Sequence, residues 1–291
     1  MNKAVAILKL TRIEHSLMLI VAVLSGELLT ASRFPSLFIL IASMITPIFI
    51  SMASFAINDY FDIEVDKKNK KSKRPLVSGD ITPKEALIVT YMSLFIGIFA
   101  SLFINFYAFA IAIIFGILAM LYSYKLKEVF LLGNFYVALS MVIPLIYGNF
   151  VVSDALTYSV LIISIMIFLA GVSREIHGTV RDYEGDKKRR VNSLPIKIGK
   201  INASIIAGIF YFVAIVLSFY LFFYVAPFYN FIYLILIILT DVLLGYISVG
   251  YIVKNNREFY DKARNLSLIA ISIALFAILL VPITSGMQFL R

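Results

Sequence analysis

Residues 35–66 read PSLFILIASMITPIFISMASFAINDYFDIEVD: an apolar run centred near Ala42 passes directly into Asn58-Asp59-Tyr60-Phe61-Asp62-Ile63-Glu64-Val65-Asp66. An apolar stretch of about 17–25 residues crosses roughly 30 Å of hydrocarbon as a helix. If the helix continues past the apolar run, Asp59, Asp62 and Asp66 are spaced i, i+3, i+7 and share one face. Like charges at that spacing repel by roughly 0.2–0.5 kcal/mol per pair on an exposed helix, and by more where water is scarce. A cation is the natural reason to keep them together. Four spans later the pattern recurs as Arg181-Asp182-Tyr183-Glu184-Gly185-Asp186, with Asp182 and Asp186 at i, i+4.

The rest of the chain has the same character. It is 291 residues long, 61% apolar and 15% charged, with mean hydropathy +0.95. A soluble protein is roughly 45–50% apolar and 25% charged, so the composition predicts an all-α polytopic membrane protein. Nine spans are expected, centred near Val23, Ala42, Leu94, Phe115, Leu139, Ile163, Val213, Ile237 and Ile273. The boundary between the third and fourth is marked only by Asn105 and Tyr107. Residues 1–291 read as a single transmembrane domain. Cysteine and tryptophan are absent, which excludes disulfides and metal–thiolate sites.

Charge predicts the orientation. Of the 26 Lys and Arg residues, 24 fall before the first span or after the even-numbered spans, leaving only Arg33 and Arg291 on the other side. By the positive-inside rule, the N-terminus and both acidic clusters face the cytoplasm and the C-terminus lies outside, in a multi-pass protein of the cell membrane. The net charge of +9 then reflects topology and anionic ligands or membrane lipids rather than nucleic acid. No cleavable signal peptide is expected. Residues 1–15, with Lys3, Lys9 and Arg12 among Ala, Val, Ile and Leu, fit an amphipathic helix at the interface.

Two connections are long, Asn58–Glu85 and Arg174–Lys200. Each begins with acidic residues that continue a helix, crosses a basic run, and ends in turn chemistry at Arg74-Pro75-Leu76 or Ser193-Leu194-Pro195. Thr82-Pro83-Lys84-Glu85 has the form of a capping box with Pro at the first helical position. The shared plan suggests two related halves.

Carboxylates and Lys/Arg on one membrane side suit a diphosphate. Mg²⁺ takes oxygen ligands, commonly one or two carboxylates plus phosphate oxygens. Lys73 and Arg74, or Lys67 and Lys68, can neutralise further oxygens. Departure of diphosphate from a prenyl chain needs such help, because charge accumulates on the leaving oxygen.

The first cluster resembles the N-D-x-x-D-x-x-x-D signature of the UbiA superfamily of intramembrane prenyltransferases, at Asn58, Asp59, Asp62 and Asp66. The second resembles that family's D-x-x-x-D motif, at Asp182 and Asp186. Arg74-Pro75-Leu76, Tyr122-Ser123-Tyr124 with Lys125 and Lys127, Gly133-Asn134 and Arg174-Glu175-Ile176 are similar to the family as well. The resemblance implies a nine-helix bundle with a central cleft and cytoplasmic cap loops, Mg²⁺, and a carbocation-like transition state without a covalent protein intermediate. It further implies Asp59, Asp62, Asp66, Asp182 and Asp186 as metal ligands, with Asp59, Asp62, Asp182 and Tyr122 central to the chemistry. Asn58, Lys73, Arg74, Lys127, Asn134, Arg174 and Lys187 would contact substrates. The details look most like members that move a geranylgeranyl group from geranylgeranyl diphosphate to the hydroxyl of geranylgeranylglyceryl phosphate, in archaeal ether-lipid synthesis. Relatives often carry an acid where Thr179 stands, and a Tyr-x-x-x-Lys spacing that Tyr122 and Lys127 do not keep.

Blander alternatives stand beside these. In these, Asp66 pairs with Lys70, and Asp182 and Asp186 with 187–190, as a solvated helix end. Glu64 and Glu184 read as structural, Arg174 and Glu175 as a mutual pair, and His177 as a satisfied polar residue. Glu27 reads as hydrated near the outer end, Asp241 as a weak functional candidate, and Asn134 as cleft lining or a helix–helix hydrogen bond. Rival functions are prenyl transfer to an aromatic acceptor (4-hydroxybenzoate, dihydroxynaphthoate or a tetrapyrrole) and secondary transport.

Overall fold

The computed structural model describes residues 2–31, 33–69, 71–189 and 191–285. Lys70, Arg190 and Arg291, which entered the charge reasoning, lie outside them. Every regular element among the described residues is helical. In chain order these are α1 (Lys3–Thr11), α2 (Ser16–Ala31), α3 (Leu37–Phe61), α4 (Ile63–Lys68), α5 (Pro75–Ser78), α6 (Pro83–Ser101) and α7 (Phe106–Tyr124). They continue as α8 (Leu132–Val152), α9 (Tyr158–Arg181), α10 (Tyr183–Arg189), α11 (Leu194–Ile198), α12 (Lys200–Tyr224), α13 (Phe231–Val253) and α14 (Arg257–Thr284). Nine of the described helices are long and apolar enough to span a membrane, and each of the nine expected centres falls inside one.

The chain divides into two compact units, Met1–Val23 with Pro35–Leu126, and Leu24–Phe34 with Lys127–Arg291. Each unit carries one of the acidic clusters.

In the first unit, α6 turns Ala86, Thr90, Ser93, Gly97 and Ser101 inward and leaves Tyr91, Phe95 and Phe99 exposed. Small residues on the packed face and large apolar ones outside are what lipid solvent selects, since close backbone approach replaces the hydrophobic drive between helices. At Gly97 an added Cβ would come within 3.0 Å of the Thr46 carbonyl oxygen on α3. The predicted capping box is present: Glu85 N–H donates to Thr82 Oγ1, and Thr82 N–H donates to Glu85 Oε2 at 2.7 Å. Helix α1 forms where the amphipathic segment was expected, with Asn2 as N-cap. Its Ala6 and Leu10 are buried with Ala56, Leu76, Ile81 and Ala86, and Lys3 bridges to Glu85 at 2.7 Å.

In the second unit, α9 packs against α8, α12 and α14. A Cβ on Gly171 would lie 3.0 Å from the Ala138 Cα, and Ser173 Oγ donates to the Ala207 carbonyl at 2.7 Å. Val172, Ile176, Val180, Tyr211, Ile247 and Phe259 form the core under the second cluster. Glu27 is fully buried, which corrects the expectation of hydration. Asp241 is also buried and accepts a hydrogen bond from Ser218 Oγ at 2.7 Å.

Candidate active site

Both clusters are built by the same backbone device. Helix α3 ends at Phe61, Asp62 sits at φ −89°, ψ −1°, and α4 starts at the next residue. Helix α9 ends at Arg181, Asp182 sits at φ −90°, ψ 7°, and α10 follows. The hydrogen-bond ladder runs through each junction, from Asp62 N–H to the Asn58 carbonyl and Asp66 N–H to the Asp62 carbonyl. Asp182 to Gly178 and Asp186 to Asp182 repeat it. The predicted continuation of each helix through its acids therefore holds, and the repeat is visible in the backbone.

In the first unit Asp59 and Asp66 are buried and Asp62 is half-buried. Asn58 Nδ2 donates to Asp62 Oδ2 at 3.1 Å. Arg12 Nη2 and Arg74 Nη1 each donate to Asp59 Oδ1 at 2.9 Å. Arg74 Nη1 also donates to Asp66 Oδ2, and Lys71 Nζ lies 2.9 Å from Asp66 Oδ1. Pro75 forces the preceding residue out of the helical region, and Arg74 is accordingly extended at ψ 131°, capping α5. Arg12 reaches the cluster from the far end of α1 through a left-handed backbone (φ 49°), its guanidinium 4.6 Å above Phe55. Asp59 and Asp66 thus bond three cations between them, two of which, Arg12 and Lys71, sequence reasoning counted only as topology. No local pattern marks Arg12, since 47 residues separate it from Asp59. Lys73 is exposed, Glu64 pairs with Lys67 at 3.2 Å, and Tyr122 is half-buried near the end of α7.

In the second unit Asp182 receives two hydrogen bonds from Arg181, at 3.0 and 2.8 Å, with Arg257 at 3.8 Å. Burial pushes the Asp182 carboxyl up. The Arg181 hydrogen bonds and the charges of Arg181, Arg257 and Arg264 outweigh that and hold it below the ordinary carboxylate value. Asp186 is buried. Both acids line a cavity of about 300 Å³ that also takes in Arg174, His177, Arg181 and Arg264. Arg174 pairs with Glu175 at 3.4 Å, as the bland alternative had it, and Glu184 pairs with Lys200 at 2.9 Å. His177 is not satisfied: it is buried and neither ring nitrogen has a hydrogen-bond partner. Arg264 was not foreseen as a site residue. Lys187 is exposed, and Lys197 sits 3.7 Å above the Phe130 ring. Asn134 is half-buried in the first turn of α8, beside Gly133, where a Cβ would come within 3.2 Å of the Lys127 backbone. Lys127 lies in the short 3₁₀ turn just before α8.

Among the described residues no three acid or imidazole groups converge as a ready-made metal cage. That does not disfavour Mg²⁺, which keeps waters and completes its shell with phosphate oxygens. The donors present are hard carboxylate oxygens, the kind Mg²⁺ takes.

The chain is 36% identical over 271 residues to the digeranylgeranylglyceryl phosphate synthase of Archaeoglobus fulgidus, covering 93% of this chain and 92% of that one. It superposes on a solved structure described as digeranylgeranylglyceryl phosphate synthase in membranes, with TM-score 0.81, 31% identity, and coverage of 98% of this chain and 100% of that one. A UbiA homolog from A. fulgidus, solved with GPP and Mg²⁺, shares the fold at TM-score 0.67 and 19% identity, with 94% and 99% coverage. Residues 19–269 match the UbiA prenyltransferase family, and with full-length relatives above 30% identity and the paired carboxylate junctions, the chain belongs to that family.

Proposed function

We propose that this protein transfers a geranylgeranyl group from geranylgeranyl diphosphate to the hydroxyl of geranylgeranylglyceryl phosphate, releasing diphosphate. The observation that carries this reading is the full-length likeness to digeranylgeranylglyceryl phosphate synthases, which favours a lipid-phosphate acceptor over an aromatic one. On this reading the two units act together as one prenyltransferase domain, with the N-terminus and both clusters at the cytoplasmic face of the membrane, an orientation the Lys/Arg asymmetry supports.

In the reaction the bond between prenyl C1 and the diphosphate oxygen breaks with its electron pair going to oxygen. The acceptor hydroxyl oxygen bonds to C1 and its proton passes to the released diphosphate or to water. Asp59, Asp62, Asp66, Asp182 and Asp186 would hold Mg²⁺, which when bound supplies positive charge to the phosphate oxygens. Arg74, with Lys73, Asn58 and Lys127, binds the diphosphate. In doing so Arg74 exchanges its carboxylate partners for phosphate oxygens, a charge-assisted pairing of similar strength. Tyr122 offers a ring face to developing positive charge. Asn134, Arg174 and Lys187 serve the acceptor side.

The test is purified protein with radiolabelled geranylgeranyl diphosphate, Mg²⁺ and a panel of acceptors. Product with geranylgeranylglyceryl phosphate and none with 4-hydroxybenzoate or dihydroxynaphthoate is expected. Asp62→Ala and Asp182→Ala should each abolish turnover; near-normal rates in both would remove the site assignment.

A further inference from the structure

His177, Gly178 and Arg181 follow Arg174 at i+3, i+4 and i+7, so all four share one face of α9, and that face lines the 300 Å³ cavity of the second unit. The face is built but not satisfied. His177 is 3% exposed, and neither of its ring nitrogens has a hydrogen-bond partner. The Arg174 Nε–H is buried without an acceptor, although the same guanidinium reaches Glu175. Leaving such groups unpaired is costly, more so when they are charged, and native structures tolerate it mainly where a ligand or water completes them. The His177 ring packs against Tyr251 and Tyr211, with centroids 4.0 and 5.5 Å away and planes tilted by 35° and 32°, which restricts how its nitrogens can turn. At Gly178 a Cβ would meet open space.

We infer that this face of α9 binds the phosphate of the lipid-phosphate acceptor, with Arg174, His177 and Arg181 donating to its oxygens and Arg264 adding charge. The inference rests on the proposed function and names the acceptor subsite. The ligand chemistry follows from the lining. The unmet groups include the Arg174 Nε–H and an imidazole N–H of His177, donors that call for oxygen acceptors. Arg174, Arg181 and Arg264 are balanced by Glu175, Asp182 and Asp186, so the cavity is near neutral and binds by directed hydrogen bonds rather than bulk charge. The open volume is large enough for a glycerol phosphate headgroup.

Two substitutions test this in the full-length enzyme. His177→Phe keeps a ring against Tyr251 and Tyr211 but removes both nitrogens. Gly178→Leu fills the open space without touching a charge, and Leu is the better helix former. Each should raise the acceptor KM on the order of tenfold, the scale of one hydrogen bond to a charged group, while the geranylgeranyl diphosphate KM stays within about twofold of wild type. Inorganic phosphate should compete with the acceptor in the wild type and lose that competition in both variants. A rise confined to the diphosphate KM would assign the cavity to the prenyl donor and overturn the inference; so would unchanged kinetics. His177→Gln, which retains an N–H donor, should recover part of the loss, and it carries the test if the Phe variant fails to fold. The underlying function fails separately, when wild-type protein turns over no lipid-phosphate acceptor at all.

Discussion

Replacing Arg74 with Met removes a guanidinium bonded to both Asp59 and Asp66 while keeping the apolar stem. Asp59 and Asp66 are 3% and 1% exposed, so the variant leaves two buried carboxylates short of a partner. Breaking a fully buried pair costs about 3–5 kcal/mol. The Arg74 side chain is itself 23% exposed, and Arg12 and Lys71 remain in place. Those two facts roughly halve the cost, to about 1.5–2.5 kcal/mol. Large domains lose roughly 2–4 °C of midpoint per kcal/mol, so a drop of about 3–10 °C is expected. The protein has no tryptophan, so the melt is followed by far-ultraviolet circular dichroism in detergent. Adding Asp66→Asn to the Arg74→Met background should return about half of the loss, because it removes one of the orphaned charges. Contacting groups couple, whereas independent sites add within about 0.3–0.5 kcal/mol. A midpoint within 2 °C of wild type, or losses that simply add in the double variant, would refute the reasoning.

Further expectations follow from the same geometry. Asp182 has a lowered pKa in the folded protein, so its contribution is present above the unfolded carboxylate value near ~4 and is lost as pH falls through the lower folded value. The stability gap between wild type and Asp182→Asn should accordingly be constant above about pH 5 and close in more acid solution. Thr82→Ala breaks the capping box of α6 and should cost about 1 kcal/mol in denaturant titration, with little change in turnover. Gly26→Ala places a Cβ 2.1 Å from the Leu145 carbonyl oxygen, a backbone atom that cannot rotate away; a loss of about 1–3 kcal/mol and poor expression are expected. Tolerance of Ala at Gly26 would contradict this close approach of Gly26 on α2 to the Leu145 carbonyl on α8.

The apolar runs alone determined the nine span-length helices among the described residues, because a helix must satisfy its own backbone in hydrocarbon and roughly 20 apolar residues suffice for that. The Asp spacings, the Thr82–Glu85 cap and the α4 and α10 continuations were equally local, each set within a few residues of chain. What the acids bond to was not local. Arg12 joins Asp59 only because α1 packs Ala6 and Leu10 against the residues around α5, and Arg74 reaches both acids because Pro75 holds it extended. His177 and Glu27 were misjudged for the same reason. Whether a polar side chain in a span meets water, a partner or an unfilled cavity depends on neighbouring helices, and sequence periodicity does not specify which helices those are.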